Sequence, residues 1–190
     1  MYNLVVFVSG NGSTLQTIID NINSGVLQAK INLVVSSNSE AYALERAKIN
    51  NIPTYIIQNT ATQDIDLELV AECSKYEIDL IVLAGYLKMI GNSLIDKYTI
   101  INTHPALLPK FGGHGMYGMN VHKAVVAAKE EYSGVTVHYV NNKYDEGAII
   151  SQTKVKLEEG ETPESLSKKV QDVEKPQLVK VIKEFIEKCE

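Results

Sequence analysis

Apolar residues along this 190-residue chain fall into short continuous runs separated by stretches of helical spacing. Residues 2–8, Tyr-Asn-Leu-Val-Val-Phe-Val, are rich in β-branched side chains and nearly all apolar, the pattern of a strand buried on both faces. Ser9-Gly10-Asn11-Gly12-Ser13-Thr14 follows, and then Leu15, Ile18, Ile19 and Ile22 recur at helical intervals. The unit reads as strand, glycine turn, helix. Ser13 or Thr14 is placed to cap the helix, and the turn's backbone N–H groups with the helix dipole favour an anion such as phosphate.

The same alternation continues with a strand near 31–36, a helix from about 40 to 50 carrying Leu44, Ala47 and Ile49, and a short strand at 54–57 after Pro53. Residues 64–76 read as a helix with Leu67, Val70 and Ala71 on one face and Asp64 near its N-terminus. Asp79-Leu80-Ile81-Val82-Leu83-Ala84-Gly85 is the most strand-like run and predicts a central strand. Strands alternating with helices in this rhythm imply βαβ units, hence a parallel sheet with right-handed crossovers.

Ile100-Ile101-Asn102-Thr103-His104 is the next strand, and Pro105 ends it because proline has no N–H for the ladder. Two-residue alternation sends Asn102 and His104 to one face at the strand's C-terminal end, where open α/β sheets bind ligands. Residues 111–120 hold Gly112, Gly113, Gly115 and Gly118 and read as a loop and candidate lid, followed by a helix over 121–129. Residues 134–140 and 149–157 alternate apolar with polar positions, which predicts two antiparallel strands added to the sheet. Thr162-Pro163-Glu164 opens a last helical region, with Leu166, Val170 and Val173 and then, from Gln177 onward, Leu178, Val179, Ile182 and Ile186 at helical spacing. The expected fold is α/β: an open, mostly parallel, Rossmann-like sheet with helices on both faces and an antiparallel addition toward the C-terminal part. One domain spanning residues 1–190 is expected.

Composition narrows the function classes. Eighteen basic against 23 acidic residues leave a net charge of -5, which does not indicate a nucleic-acid or anionic-membrane surface. Cys73 and Cys189 lie far apart with no paired spacing, so neither a disulfide framework nor a zinc site is expected. No window approaches the ~20 apolar residues of a membrane span, and the N-terminus has no basic region or long apolar core of a signal peptide. A cytoplasmic protein is the expectation.

Of the four histidines, His114, His122 and His138 read as structural or solvated, with His138 facing away from the apolar side of its strand. No histidine pair or acid cluster has metal-ligand spacing, so no metal is expected. His104 differs because it is aligned with Asn102. An amide N–H₂ and an imidazole suit the stabilisation of negative charge growing on a carbonyl oxygen. A carboxylate would orient the imidazole and favour its charged form. Asp145, followed by Glu146 and a Gly147 that allows close backbone approach to a ligand, is the natural candidate, although spacing alone does not single it out among 23 acids. With no nucleophile elbow and no cysteine near a histidine, the acyl acceptor is expected to be a substrate.

Val5-Val6-Phe7-Val8-Ser9-Gly10-Asn11-Gly12-Ser13, Leu44-Glu45-Arg46-Ala47, Leu83-Ala84-Gly85-Tyr86, Asn102-Thr103-His104-Pro105 and Asp145-Glu146-Gly147 together resemble the phosphoribosylglycinamide formyltransferases over nearly the whole chain. The resemblance implies transfer of a formyl group from the co-substrate 10-formyltetrahydrofolate to the amine of 5-phosphoribosylglycinamide, in purine synthesis. It implies a catalytic set of Asn102, His104 and Asp145, and a substrate site at Gly12, Ser13, Thr14 and Glu174. The implied folate pocket holds Leu87, Lys88, Met89, Ile90, Asn141 and Tyr144. Implied partners are small molecules, and the chain would be a monomer or homodimer.

Several positions depart from the family pattern. Thr14 and Lys175 stand where asparagine and histidine are usual, and Lys88 stands where many members carry arginine. The stretch Ala61-Thr62-Gln63 lacks a family arginine, which removes one charge-assisted phosphate contact, and Arg46 is the chain's only arginine. Formyltetrahydrofolate hydrolases and sugar-nucleotide formyltransferases share the Asn-x-His and Asp features. No added domain is expected before Leu4 or after the catalytic one, which counts against them. A nucleotide-binding module without catalysis is the rival from another class.

Overall fold

Strand β1 (Tyr2–Val8) is apolar except for Asn3 because helices cover both faces of the sheet around it. In the computed structural model, which describes residues 1–58 and 65–188, it is followed by α1 (Ser13–Asn23), β2 (Ala29–Ser36), α2 (Tyr42–Ile49) and β3 (Thr54–Ile56). The chain continues with α3 (Ile65–Cys73), β4 (Leu80–Leu83), α4 (Asn92–Ile95) and β5 (Ile100–His104). It ends with α5 (Met119–Ala127), β6 (Tyr132–Tyr139), β7 (Ile149–Lys156) and α6 (Pro163–Glu187). The seven strands form one sheet in the order β3-β2-β1-β4-β5-β6-β7. All pairs from β3 to β5 are parallel, whereas β5–β6 and β6–β7 are antiparallel, as the alternating pattern of the last two strands requires. The predicted central strand, β4, is the middle one.

Side-chain alternation divides the core. Leu4, Val6 and Val8 of β1 pack beneath α1, α2 and the C-terminal half of α6, while Val5 and Phe7 pack against Leu69 and Cys73 of α3 and Leu94 of α4. A third cluster joins Val121 and Val125 of α5 to Val135 of β6 and to Leu166 and Val170 of α6. The parallel strands end at one edge, and the chain departs from β1 and from β4 to opposite sides of the sheet, which leaves a crevice at that edge.

The helices differ from their predicted faces in instructive ways. In α3 the buried residues are Glu68, Leu69 and Cys73, while Leu67 is 58% exposed and Ala71 is exposed too. Ile65, Leu69 and Cys73 form the i, i+4, i+8 stripe, and Glu68 is tolerated because the Tyr55 hydroxyl and Gln58 N–H both donate to its Oε1. Asp64 and the Ala61-Thr62-Gln63 stretch lie outside the described residues, as does Cys189. In α2, Ala43 and Ala47 face inward and Ile49 is 65% exposed, because the helix presses closely on the first glycine turn and only small side chains fit there. Helix α5 begins at Met119, two residues before the expected start. The two apolar-spaced stretches after Thr162 form one 25-residue helix that runs through Pro176. Pro176 is exposed, so the helix carbonyl deprived of its N–H partner can meet water. A reciprocal capping box between Thr162 and Ser165, with Pro163 in the first turn, starts this helix.

Candidate active site

β5 stops at His104, and its side-chain alternation turns Asn102 and His104 into the crevice, as the sequence predicts. Asp145 reaches them from the β6–β7 connection, where it holds φ +58. Its Oδ2 lies 3.5 Å from His104 Nδ1 and accepts a 2.9 Å hydrogen bond from Gly113 N–H of the glycine-rich loop. Its Oδ1 is 3.5 Å from Asn102 Nδ2. Burial opposes charge on Asp145, but the His138 and His104 imidazoles and the Gly113 N–H outweigh it and hold the carboxyl below its usual range.

His104 is only 3% exposed and lies between two acceptors, the Asp145 carboxylate at Nδ1 and the Phe111 carbonyl 2.8 Å from Nε2. A neutral ring can donate to one of them, a protonated ring to both. Burial is the larger influence and lowers its pKa from the ordinary 6.5, against the upward pull of Asp145 and the Phe111 carbonyl. The resting ring is therefore neutral near pH 7 and becomes a better donor as negative charge develops beside it.

His138 is a correction to the sequence reading. It is 2% exposed and belongs to this cluster rather than to solvent. Antiparallel register sets it directly across from Asn102, so the two side chains share a face. Its Nδ1 lies 2.8 Å from the Tyr139 carbonyl, and its Nε2 lies 3.2 Å from Asn102 Nδ2 and 3.6 Å from Asp145 Oδ1. His122 is also buried, at 3% exposed, and lines the same cavity. His114 lines it as well and makes an edge-on ring contact with Tyr144. Gly147 does permit a close approach, but to the Tyr139 carbonyl instead of a ligand.

Ser13 and Thr14 enter the cavity from the first turn of α1, but neither caps the helix. Gly12 is the N-cap, in the left-handed conformation with φ 76, and no side chain bonds the first N–H groups. The turn thus leaves its donors and the Ser13 and Thr14 side chains available to an anion. Arg46 clasps the turn from α2: Nε donates to the Asn11 carbonyl at 2.9 Å, Nη2 to Asn11 Oδ1 and Nη1 to Gln16 Oε1, both at 3.1 Å. A Cβ at Gly12 would sit 2.6 Å from Ala43 Cβ and 2.8 Å from its Cα. Gly12→Ala is therefore expected to cost about 1–3 kcal/mol in a denaturant titration, through backbone strain and overpacking, and to raise KM for a phosphorylated substrate.

Glu174 faces the cavity from α6, beside the Thr103 hydroxyl. Burial pushes its carboxyl up to about 7, while Thr103 and Lys175 pull weakly the other way. Because the folded state holds this proton more tightly than the unfolded chain, stability falls as pH rises from the ordinary 4.5 through about 7. Glu174→Gln is expected to raise the melting temperature relative to the parent at about pH 8 and to make little difference near about pH 5. Equal shifts at both pH values would contradict this. Ser167 and Gln171, spaced with Glu174 along one face of α6, also line the cavity. The sequence reading missed them, although their i, i+4, i+7 spacing was the available signal.

The predicted folate residues, Leu87, Lys88, Met89, Ile90, Asn141 and Tyr144, all line this one cavity of about 670 Å³. Leu87 and Met89 are 53% and 48% exposed, an apolar wall without a protein partner, suited to a flat aromatic ligand. Lys88 and Lys143 add positive charge. Cys73, by contrast, is buried away from the cavity, and burial raises its thiol pKa to about 12, so it is no nucleophile. Among the described residues no group of three acidic, histidine or cysteine side chains has metal-binding geometry, and no helix is long and apolar enough to cross a membrane.

Comparison with known proteins gives a consistent picture. The formyl transferase family model matches residues 2–182. Phosphoribosylglycinamide formyltransferase of Arabidopsis thaliana is 40% identical over 185 residues, covering 94% of this chain and 63% of that protein. The protein of that name in Haemophilus influenzae is 35% identical over 192 residues, covering 98% and 88%. The crystal structure of phosphoribosylglycinamide formyltransferase from Bacillus halodurans superposes with a TM-score of 0.91 at 31% identity, covering 99% of this chain and 97% of that one. The chain spans less than two thirds of the length of the Arabidopsis relative and of a similar one from Vigna unguiculata, at 63% and 61%.

Proposed function

This chain belongs to the formyl transferase family, and we propose that it transfers the formyl group of 10-formyltetrahydrofolate to the glycinamide amine of a phosphoribosyl substrate, a step of purine biosynthesis. The products are formylglycinamide ribonucleotide and tetrahydrofolate. The observation that carries this reading is the meeting of Asn102, His104 and Asp145 in the same cavity as the first turn of α1 and the apolar wall of Leu87 and Met89. The family implies a folate co-substrate, and that wall with Tyr144 fits a pterin and its attached aryl ring. Residues 1–190 act as one formyltransferase domain, a reading supported by one sheet and the helices packed on it lining a common cavity.

In this mechanism the phosphate sits on the N–H groups of the first turn of α1, with Ser13 and Thr14, while Glu174 takes the ribose side. The amine attacks the formyl carbon, and negative charge grows on the formyl oxygen. One Asn102 N–H is engaged by His138, and the other, only loosely held by Asp145 at 3.5 Å, turns to that oxygen. His104 supplies the second donor, strengthened as it gains a proton, and Asp145 orients the ring and stabilises its charge. The oxyanion then collapses, the bond between the formyl carbon and the folate nitrogen breaks, and the proton lost by the attacking amine passes through His104, with Asp145 beside it, to that leaving nitrogen.

The test mixes pure protein with 10-formyltetrahydrofolate, with and without glycinamide ribonucleotide. Tetrahydrofolate release that depends on the ribonucleotide supports transfer. Release without it makes the protein a hydrolase, and no release in either case makes it a binding module.

A further inference from the structure

Arg46 on α2 is the chain's only arginine, and it is half-buried. Its three hydrogen bonds end on neutral acceptors, the Asn11 carbonyl, Asn11 Oδ1 and Gln16 Oε1. The guanidinium also lies 4.9 Å from the centre of the Tyr42 ring. It forms no ion pair among the described residues. The Asp20 carboxylate is linked to it through Gln16, whose Nε2 donates to Asp20 Oδ1 at 2.9 Å. Holding Asn11 requires donors, which a neutral amide also has, but it does not require a charge. The positive charge of Arg46 is therefore left available to an anion from outside the chain.

The backbone of the glycine turn gives that charge a route. Two successive carbonyls of the turn are held by α2: Ala43 N–H donates to the Gly10 carbonyl at 3.1 Å, and Arg46 Nε to the Asn11 carbonyl at 2.9 Å. Both peptides are trans, so the N–H groups of Asn11 and Gly12 point the opposite way, away from α2. A charged donor on a carbonyl polarises its peptide and makes the N–H on the other side a stronger donor. Arg46 thereby acts on the Gly12 N–H through the Asn11–Gly12 peptide. Its aliphatic stem lies against the same residue, since a Cβ at Gly12 would stand 3.3 Å from Arg46 Cδ.

We propose that Arg46 is a positioning residue for the substrate's phosphate: its unpaired charge, relayed through the Asn11–Gly12 peptide, strengthens the hold of the turn on a phosphate dianion. This rests on the phosphoribosyl substrate proposed above. Arg46 has two parts in it. Its fork fixes the turn so that the N–H groups converge, and its charge favours an anionic over a neutral ligand at them.

The experiment measures, by calorimetry, the Kd of glycinamide ribonucleotide and of the phosphate-free glycinamide riboside in the parent chain, Arg46→Gln and Arg46→Lys. The ratio of the two Kd values is the phosphate preference, and a partly folded fraction cancels in it. Arg46→Gln keeps a neutral donor for Asn11 and removes the charge, whereas Arg46→Lys keeps the charge and loses the fork. The expected result is that Arg46→Gln lowers the phosphate preference by about tenfold, while Arg46→Lys keeps it within about threefold of the parent. An unchanged preference in Arg46→Gln, with both ligands weakened equally, overturns the proposal and makes Arg46 a structural clasp. A loss in Arg46→Lys as large as that in Arg46→Gln overturns it as well, because shape rather than charge would then hold the phosphate. So does a parent that binds the ribonucleotide no better than the riboside. A parent that binds the ribonucleotide but releases no tetrahydrofolate with it overturns the proposed activity instead, and the comparison of Kd values still decides the role of Arg46.

Discussion

Replacing His104 with alanine is expected to lower kcat by about 10³-fold while changing the affinity for either substrate by less than about threefold. The ring is only 3% exposed and supplies a donor to oxygen charge that exists only as the bond forms, so its contribution lies in the transition state. The measurement is steady-state kinetics with separate binding titrations for both substrates. Losses of the same size in binding and in rate would show that His104 merely holds the cavity together. The substitution also frees the Phe111 carbonyl that the ring now contacts, so a melting curve must accompany the kinetics.

The second large effect is expected at Asp145. Asp145→Asn keeps the shape of the side chain and suits the φ of +58, since asparagine tolerates the left-handed region, but it removes the charge. A fall in kcat of about 10²-fold is expected from disturbed orientation of His104. The pH profile gives the sharper test. Burial lowers the His104 pKa, and Asp145 is the strongest influence in the opposite direction. Activity that starts from the neutral ring is complete above its folded pKa and is lost as pH falls through it. Without the carboxylate that pKa falls further, so the acid limb of kcat/KM should move to lower pH. A limb that stays in place would mean that Asp145 acts on the reaction by another route.

Much of this architecture is legible along the chain. The continuous apolar run at Tyr2–Val8, the turn after it and the helix of Leu15, Ile18 and Ile19 are local signals, and each forms as its pattern predicts. The pairing of Asn102 with His104 on one strand face needs only the two-residue repeat. Family resemblance adds Asp145, Glu174 and the folate residues, all of which line the cavity.

His138 shows where local reading stops. Its place opposite Asn102, 36 positions earlier in the chain, follows from antiparallel register, and its pattern of alternation gave only a polar face. That face is turned into the cavity, where a neighbouring loop covers it. His122 is similar, since nothing at a helix start reveals that the residue will be buried. The inward face of α3 and the exposure of Ile49 likewise depend on how each helix rotates to fit its neighbours.

By itself, then, the sequence determined the order of strands and helices, the glycine turn at Gly12 and the side-by-side amide and imidazole of β5, because each rests on interactions within a few residues. Only the tertiary structure decided that Gly12 rather than Ser13 caps α1, that His138 and Gly113 contact Asp145, and that His122, Thr103 and Glu174 line one cavity. Those features arise where segments distant in the chain meet. Burial there changes the energy of each polar group, and no repeat along the sequence encodes which partner it will meet.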